Sequence, residues 1–366
     1  MRINYRIFGL KRLDIYIIKK FLGTYFFSLV LILSIGIVFD LNEKLDRFVE
    51  NNAPLQAIIF DYYLSFIPYY MNLFSSLFTF IAVIFFTSKI AGNSEIIAIL
   101  ASGVSFHRMM LPYFISAFII FSISFGLGGY VIPNSTKKMI EFEEQFVRSH
   151  RRENVRNIQM EIEPGIILYI DRYEQRQNRG QRFSLEKFDG KHLVSRLTAE
   201  TITWDSDYNW TVHNFLKRDF DGLFERITYG ESLDTIIRIQ PHEFFITARD
   251  APQMTNPQLR NHLRTQSRRG VGNIQAFEDE YYRRYSMPIA AFIMTLMGVS
   301  LSSRKVRGGM GINLGIGLAL SALFILFTTM STSFAVNGTM SAATAVWLPN
   351  IVFLTIGIFL YLRAPK

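Results

Sequence analysis

The chain has 366 residues, of which 49% are hydrophobic and 15% aromatic, and it carries a formal charge of +9 at pH 7. Its apolar residues fall in uncharged blocks of roughly 20 residues, the length with which an α-helix crosses a bilayer. One buried core helix can mimic one such block, but the whole set excludes a soluble globular protein. The chain contains no cysteine, which excludes disulfides and thiol chemistry.

Six uncharged segments predict six transmembrane helices. The last uncharged run, residues 308–362, is too long for a single helix, and the turn signal Asn337–Gly338 divides it. The predicted spans are residues 21–39, 62–88, 109–132, 285–303, 311–335 and 343–362. They separate a first membrane half (residues 1–136), a soluble domain (residues 137–280) and a second membrane half (residues 281–366).

The basic residues predict the orientation of these spans. They concentrate before span one, between spans two and three, between spans four and five, and after span six, as Arg2, Arg6, Lys11, Arg12, Lys19, Lys20, Lys89, Arg108, Arg304, Lys305, Arg307, Arg363 and Lys366. Short cytoplasmic loops carry an excess of Lys and Arg, so both termini are expected in the cytoplasm and residues 137–280 on the other side. The positive charge would then meet anionic lipid at the inner membrane surface. It gives no reason to expect nucleic acid as a partner.

The segment before span one has its apolar residues at helical spacing. These are Leu10, Leu13, Ile17, Ile18 and Phe21, with lysines and arginines between them. The pattern predicts either an amphipathic helix in the membrane interface or an extension of the first span. No small-residue cleavage site follows the first apolar segment, so the N-terminus is expected to remain as an anchor.

A short helix is predicted in the loop between spans two and three, at residues 93–103. Asn93 and Ser94 are typical helix N-caps, Glu95 suits the first turn and Gly103 suits the stop. Its apolar residues are Ile96, Ile97, Ile99, Leu100 and Ala101. An apolar helix that is too short to span a membrane lies on the bilayer or docks in the groove of a soluble partner.

The soluble segment has the pattern of a β domain. Short alternating runs occur at Ile166–Ile170, Phe183–Phe188, Leu193–Ala199, Trp210–Phe220, Leu223–Tyr229 and Thr235–Ile239. Turn residues separate them at Asp189–Gly190, Ser206–Asp207, Asp221–Gly222 and Gly230. Strands with no helix between them favour a β-sandwich or jelly-roll, and residues 256–267 are predicted to form a helix.

The sequence lacks the motifs of the common catalytic and metal sites. It contains no phosphate-binding G-x-x-x-x-G-K-[ST] loop, no H-E-x-x-H and no G-x-S-x-G. Its six histidines are scattered without metal-ligand spacing. No carboxylate lies near the middle of a span, which argues against a proton-coupled transporter. We therefore expect neither an enzyme nor a metal or other cofactor.

Four motifs, in order along the chain, carry a family resemblance. They are Leu13-Asp14-Ile15-Tyr16 before span one, Ser94-Glu95-Ile96 with Ala101-Ser102-Gly103 in the loop helix, Met254-Thr255 through Leu259, Arg269-Gly270, Tyr282-Arg283-Arg284 and Pro288 leading into span four, and Trp347-Leu348-Pro349-Asn350 at span six. Together with three spans, a β domain and three spans, they resemble the LptF/LptG (YjgP/YjgQ) permeases of the lipopolysaccharide-export ABC transporter. The β domain is similar in position and type more than in sequence.

The resemblance implies a location, a set of partners and a transport role. A member of this family lies in the bacterial inner membrane with a periplasmic β-jelly-roll or sandwich domain. It pairs with a second LptF/LptG-type permease, and a dimeric, LptB-like ABC ATPase docks on its cytoplasmic face. A single-span LptC-like protein is a further possible partner. ATP hydrolysis by the ATPase would drive extraction of lipopolysaccharide into the β domains.

The resemblance also implies site residues. The loop helix would be the coupling helix set in the ATPase groove, through Ser94, Glu95, Ile96, Ile99, Leu100 and Gly103. The alternative for Glu95 is a first-turn carboxylate stabilised by the helix dipole, by about 0.3–1 kcal/mol. Basic residues at the outer ends of spans would bind lipid phosphates, and the candidates are Lys44, Arg47, Arg283 and Arg284.

Alternatives to these roles remain open. Lys44 and Arg47 have acidic neighbours with which they can pair locally, and Arg283 and Arg284 also suit interfacial anchoring. The competing function is a membrane-anchored periplasmic binding or assembly protein that does not transport. The motifs do not distinguish an LptF-like from an LptG-like member, or pairing with itself from pairing with a relative.

Overall fold

The computed structural model describes residues 11–147, 154–222, 224–269, 274–304 and 310–364. The predicted positions outside these ranges are Arg2, Arg6, Leu10, Leu223, Gly270, Lys305, Arg307 and Lys366. The chain divides into two compact units. The helical unit comprises Met1–Val147, Pro252–Asn256 and Glu278–Lys366, and the β unit comprises Arg148–Ala251 and Pro257–Phe277.

The helices of the described residues are α1 (Arg12–Glu50), α2 (Leu55–Ala57), α3 (Leu64–Leu73), α4 (Ser75–Gly92), α5 (Glu95–Ala101), α6 (Phe106–Gly126), α7 (Ile132–Phe146), α8 (Asn256–Arg269), α9 (Gln275–Ser302), α10 (Met310–Val336) and α11 (Ala342–Leu362). Two π-helical segments, Ile58–Tyr63 and Leu127–Val131, continue α2 into α3 and α6 into α7. Within the described ranges, six helical stretches are long and apolar enough to cross a membrane, namely α1, α4, α6 with α7, α9, α10 and α11. The predicted six-span membrane protein is therefore confirmed.

Helix α1 is a single uninterrupted helix of 39 residues. At a rise of about 1.5 Å per residue it is about 58 Å long, almost twice the thickness of the hydrocarbon core. The amphipathic segment before span one is thus an extension of that span, which was one of the two alternatives. Asp14 caps its first turn by accepting a hydrogen bond from the backbone N–H of Lys11 at 2.8 Å.

Spans two and four form the interior of the helical bundle. The most apolar 18-residue stretch of α4 is 72% buried and that of α9 is 67% buried, against 22% for both α1 and α10. Close packing of α9 on α4 depends on Gly298, where a Cβ atom would lie 2.7 Å from Cγ1 of Val83. Lipid and protein interiors are similarly apolar, so contacts of this kind drive helix association in membranes.

The strands of the β unit are β1 (Asn154–Glu163), β2 (Ile166–Glu174), β3 (Arg179–Asp189), β4 (His192–Ser206), β5 (Asn209–Asp221) and β6 (Phe224–Ile236). They form one antiparallel sheet in the order β1-β2-β3-β4-β5-β6. The inserted β domain is therefore confirmed. Each strand is hydrogen-bonded to its neighbours in the chain, so the sheet is a meander, whereas a jelly-roll contains Greek-key crossovers.

One predicted turn in the β unit is wrong. Gly230 lies within β6, opposite Phe215 of β5, so the described residues of the run predicted before it and the first two residues of the run predicted after it belong to one strand. A Cβ atom at Gly230 would lie 2.8 Å from Cε1 of Phe215. The glycine therefore makes room for an aromatic ring on the neighbouring strand. The turn predictions at Gly190 and Gly222 are confirmed, because both residues have positive φ, 59° and 62°.

The core of the β unit is built on aromatic residues. Trp210 is 1% exposed, and its indole N–H donates to the carbonyl oxygen of Ile239 at 3.1 Å. Tyr173 and Phe244 pack beside it with ring centroids 6.2 and 5.9 Å from that of Trp210. The segment after β6 thus closes one end of the sheet.

The packing at Gly298 generates a stability prediction. We expect Gly298→Ala to lower the thermal unfolding midpoint in detergent, because overpacking a tight contact costs about 1–3 kcal/mol. Gly36→Ala is the matched control, since a Cβ atom at Gly36 meets nothing within 4 Å and alanine favours a helix by about 1 kcal/mol over glycine. Equal midpoints for the two variants would contradict close packing at Gly298.

Candidate functional site

The predicted loop helix exists as α5 and is held between two tight turns. Ser94 precedes it with φ 64°, and Gly103 follows it with φ 85°. Only Ser102–Ser105 separate it from α6, whose N-cap Ser105 accepts a hydrogen bond from the backbone N–H of Arg108 at 3.3 Å. These short connections fix α5 between the end of α4 and the start of α6.

Glu95 has two side-chain partners within the chain. It accepts a hydrogen bond from the amide of Asn93 at 3.1 Å and a longer one from the hydroxyl of Tyr16 at 3.4 Å. The second contact joins α5 to the first turns of α1. Glu95 is therefore oriented by the protein itself and remains half-buried at the surface.

The apolar residues of α5 divide between the core and the surface. Ile96 is 1% exposed and belongs to the largest buried cluster of the helical unit, against which Ile99 and Leu100 also pack. Ile97 is 56% exposed, and Ala98 and Ala101 are also exposed. The helix thus satisfies much of its apolar surface internally and presents a small apolar face, formed by Ile97, Ala98 and Ala101, to its surroundings.

Lys44 lies in an internal network at the opposite end of the bundle. Its ammonium group pairs with Asp40 and Glu143, both at 2.9 Å, and donates a further hydrogen bond to the hydroxyl of Tyr62. Tyr62 also donates to Asp40 at 3.1 Å. The network joins the C-terminal part of α1 to α7, and two carboxylates already balance the charge of Lys44.

Arg47 lies one turn further along α1 and is exposed. No ion pair of Arg47 occurs among the described residues. Of the two cations predicted near the end of span one, Arg47 is therefore the one whose charge faces outward.

Arg284 is a structural residue at the start of span four. Its side chain is 5% exposed and pairs with Glu280 at 2.9 Å. It also donates to the carbonyl oxygen of Met254 and to the side-chain oxygen of Asn256, both at 2.8 Å. These bonds fasten Pro252–Asn256 to α9, and they leave Arg284 little capacity to bind a ligand.

Arg283 differs from its neighbour because it lines a cavity. Its side chain is 34% exposed and pairs with Glu280 at 2.5 Å. The cavity is about 470 Å³ and lies among α3, α4, α9 and α10. Its wall is apolar at Phe74, Met287 and Phe324, and it carries the hydroxyl groups of Thr328, Thr329 and Ser333. An apolar space with one guanidinium group at its edge suits an amphipathic anion.

A comparison with protein families identifies the family of the chain. The sequence pattern of the lipopolysaccharide export system permeases LptF/LptG matches residues 15–363. The chain belongs to the LptF/LptG family. No curated protein matches the chain significantly. The match begins at the fourth residue of α1 and extends past the end of α11, so the loop helix, the β unit and both membrane halves fall within one family pattern.

Sequence analysis missed two sets of residues around the candidate sites of this LptF/LptG chain. Tyr62 and Glu143 in the Lys44 network are 18 and 99 residues away from Lys44. The hydroxyl groups of α10 that line the cavity lie in an uncharged span. A Thr/Ser cluster on one helix face was the available signal for them.

The different burial of Arg283 and Arg284 predicts different losses of stability when each residue is replaced. We expect Arg284→Met to lower the free energy of unfolding strongly, because breaking a buried ion pair costs about 3–5 kcal/mol. Arg283→Met is the matched control, with a loss below about 1 kcal/mol, because its side chain is one-third exposed. Thermal or chemical unfolding in detergent measures both. A larger loss at Arg283 would contradict this assignment.

Proposed function

We propose that this chain is the non-catalytic transmembrane subunit of an ABC transporter that extracts lipopolysaccharide from the bacterial inner membrane. The observation that carries the proposal is the family match over nearly the whole chain, together with a short, fixed loop helix and an apolar cavity edged by a guanidinium group. In this arrangement both termini lie in the cytoplasm and the β unit in the periplasm. A separate ATPase supplies the energy.

Helix α5 is the coupling helix in this proposal. Its exposed Ile97, Ala98 and Ala101 enter an apolar groove of an LptB-like ATPase dimer, and Glu95 provides the polar contact at the helix N-terminus. Ile96, Ile99 and Leu100 support the helix from beneath, while Ser94 and Gly103 set its two turns. The helix-in-groove mode needs such a small apolar face on a rigid element.

A second LptF/LptG-type permease covers spans one and five. Both α1 and α10 are only 22% buried in their most apolar stretches. Leu31, Ile35 and Val38 of α1 are exposed, as are Leu323, Leu326 and Met330 of α10. Their spacing of three and four residues suits packing against another helix, and it leaves a lipid space between the paired permeases.

The lipid site lies at the outer end of the spans. Arg283 and the exposed Arg47 meet the phosphate groups of lipopolysaccharide, and the cavity wall meets its acyl chains. Arg–phosphate pairs are favourable because the guanidinium group donates two parallel hydrogen bonds. Lys44 and Arg284, which are held in ion pairs, serve as structural cations.

The free edge of the sheet continues the path of the lipid beyond the membrane. Among the described strands, β6 is hydrogen-bonded only to β5, and its residues Phe224, Tyr229 and Ile236 are 73–82% exposed. An exposed apolar edge strand is a template for pairing with another sheet. The β domain of an LptC-like protein is the partner of this edge.

The coupling helix can be tested by charge reversal. We expect wild-type protein in mild detergent to retain a soluble ABC ATPase, and Glu95→Arg to lose at least 90% of it. The substitution reverses the charge on the docking face and removes the two hydrogen bonds that Glu95 accepts. Quantitative mass spectrometry of the co-purified proteins gives the measurement. Glu144→Arg, an equal charge change at an exposed position of α7, is the control and should retain the ATPase.

Two results of that experiment would contradict the proposal. Equal retention by wild type and Glu95→Arg would remove α5 from the docking site. A folded wild-type protein that retains no ATPase, even with nucleotide, would favour the membrane-anchored binding protein instead.

The lipid cavity can be tested by photo-crosslinking. We expect a benzophenone side chain at Thr329, in the cavity wall, to crosslink lipopolysaccharide at least fivefold more than one at Val352, an exposed residue of α11. Arg283→Gln should reduce the crosslink at Thr329, because the phosphate loses its cation. Equal crosslinking at the two positions would show general lipid contact and would contradict a specific site.

A further inference from the structure

Asp14 is a buried carboxylate at the end of the bundle that carries α5. It is 2% exposed, and both its oxygens pair with the guanidinium group of Arg108, at 2.8 and 2.6 Å. This bidentate pair joins the first turn of α1 to the first turn of α6, 94 residues apart in sequence. A buried carboxylate requires such a partner, because an unpaired charge is costly away from water.

Three observations place the Asp14–Arg108 pair beside α5. Arg108 belongs to the helix whose N-cap is four residues beyond the end of α5. Ile96 of α5 shares one buried cluster with Ile17 of α1 and Phe106 of α6. The hydroxyl of Tyr16, two residues after Asp14, contacts Glu95. The position of α5 is therefore tied to that of α1 by an ion pair, by core packing and by a hydrogen bond.

Asp14 cannot act by touching a docked protein, because its side chain is buried. Its effect on any process at α5 must pass through the positions of α1 and α6. Helix α1 runs without interruption for 39 residues from this point, and a continuous helix transmits a displacement of its first turn along its length.

We propose that Asp14 and Arg108 are positioning residues that make α5 and the first span move as one body. The inference rests on the proposed role of α5 as the docking helix for an ATPase. With the pair intact, a displacement of α5 moves span one, one of the two least buried spans and one face of the proposed lipid space. Without it, the ATPase still docks and hydrolyses ATP, but span one no longer follows.

The proposal separates two measurements that a purely structural role would not separate. The complex is reconstituted in liposomes with lipopolysaccharide, and both ATP hydrolysis and lipid release are measured for Asp14→Asn, Arg108→Gln and the double variant. We expect hydrolysis within about twofold of wild type and lipid released per ATP reduced more than tenfold in each single variant. The double variant should be no worse than either, because residues that act as a pair are not additive.

Two controls accompany these variants. Arg108→Lys keeps the charge and should restore part of the release. Arg12→Gln removes an exposed charge from the same turn of α1 and should behave as wild type. Unchanged release per ATP would overturn the proposal. Loss of ATPase binding or of hydrolysis in Asp14→Asn, together with a lower unfolding midpoint, would also overturn it, because the pair would then serve folding or docking.

A measurement on the permease alone distinguishes failure of this inference from failure of the proposed function. Because the chain contains no cysteine, spin labels can be attached at Ile97→Cys on α5 and Val30→Cys on α1, both exposed. We expect a narrow distance distribution by pulsed electron resonance that broadens in Asp14→Asn but not in Arg12→Gln. A distribution that Asp14→Asn leaves unchanged would overturn the inference, whether or not an ATPase binds the wild-type protein.

Discussion

A charge that is removed from water is costly unless it has a partner, and this constraint shapes how the helical unit is assembled. Glu280 forms ion pairs with both Arg283 and Arg284 near the start of α9. Lys44 lies between Asp40 and Glu143. The pairs of Lys44 with Asp40 and of Glu280 with the two arginines lie within one helix, whereas those of Lys44 with Glu143 and of Asp14 with Arg108 join segments that are distant in sequence. In a bundle whose helices have similar apolar faces, such pairs specify which neighbours meet, because a wrong arrangement would leave a buried charge alone.

The same constraint explains which site predictions the sequence supports and which it does not. Uncharged runs, basic flanks and alternating strands depend on local pattern, so the six spans and the inserted β domain were predictable from sequence. Whether a cation is available to a ligand depends on what lies beside it after folding. Lys44 and Arg47 are three residues apart and look alike in sequence, yet Glu143 reaches only Lys44. No sequence pattern near residue 44 predicts that a carboxylate 99 residues away lies beside it after folding.

Helix α5 shows a similar limit for apolar residues. Its sequence predicts an apolar helix whose side chains must be buried. It does not tell whether another protein or the chain itself buries them. In the structure the chain itself covers one face of α5 and leaves another face exposed. Ile96 is buried in the core, and Ile97, the next residue along, is 56% exposed. Adjacent helical residues point about 100° apart, so one short helix can be anchored by one face and keep a second face for a partner. Anchoring matters for docking, because a rigid element loses less conformational freedom on binding.

Helix α1 is fastened to neighbouring helices near both of its ends. Near its first turn the Asp14–Arg108 pair and Ile17 fasten it beside α5, and near its last turns Lys44 fastens it to α7. Between these points it has few buried residues and no proline or other break. Helix α1 is thus fastened near both ends and packed along one face, where Tyr25 and Leu29 are buried, while its other side stays exposed. Such a helix meets the requirement of the proposed movement of span one with α5, because it is continuous from Asp14 to the Lys44 network.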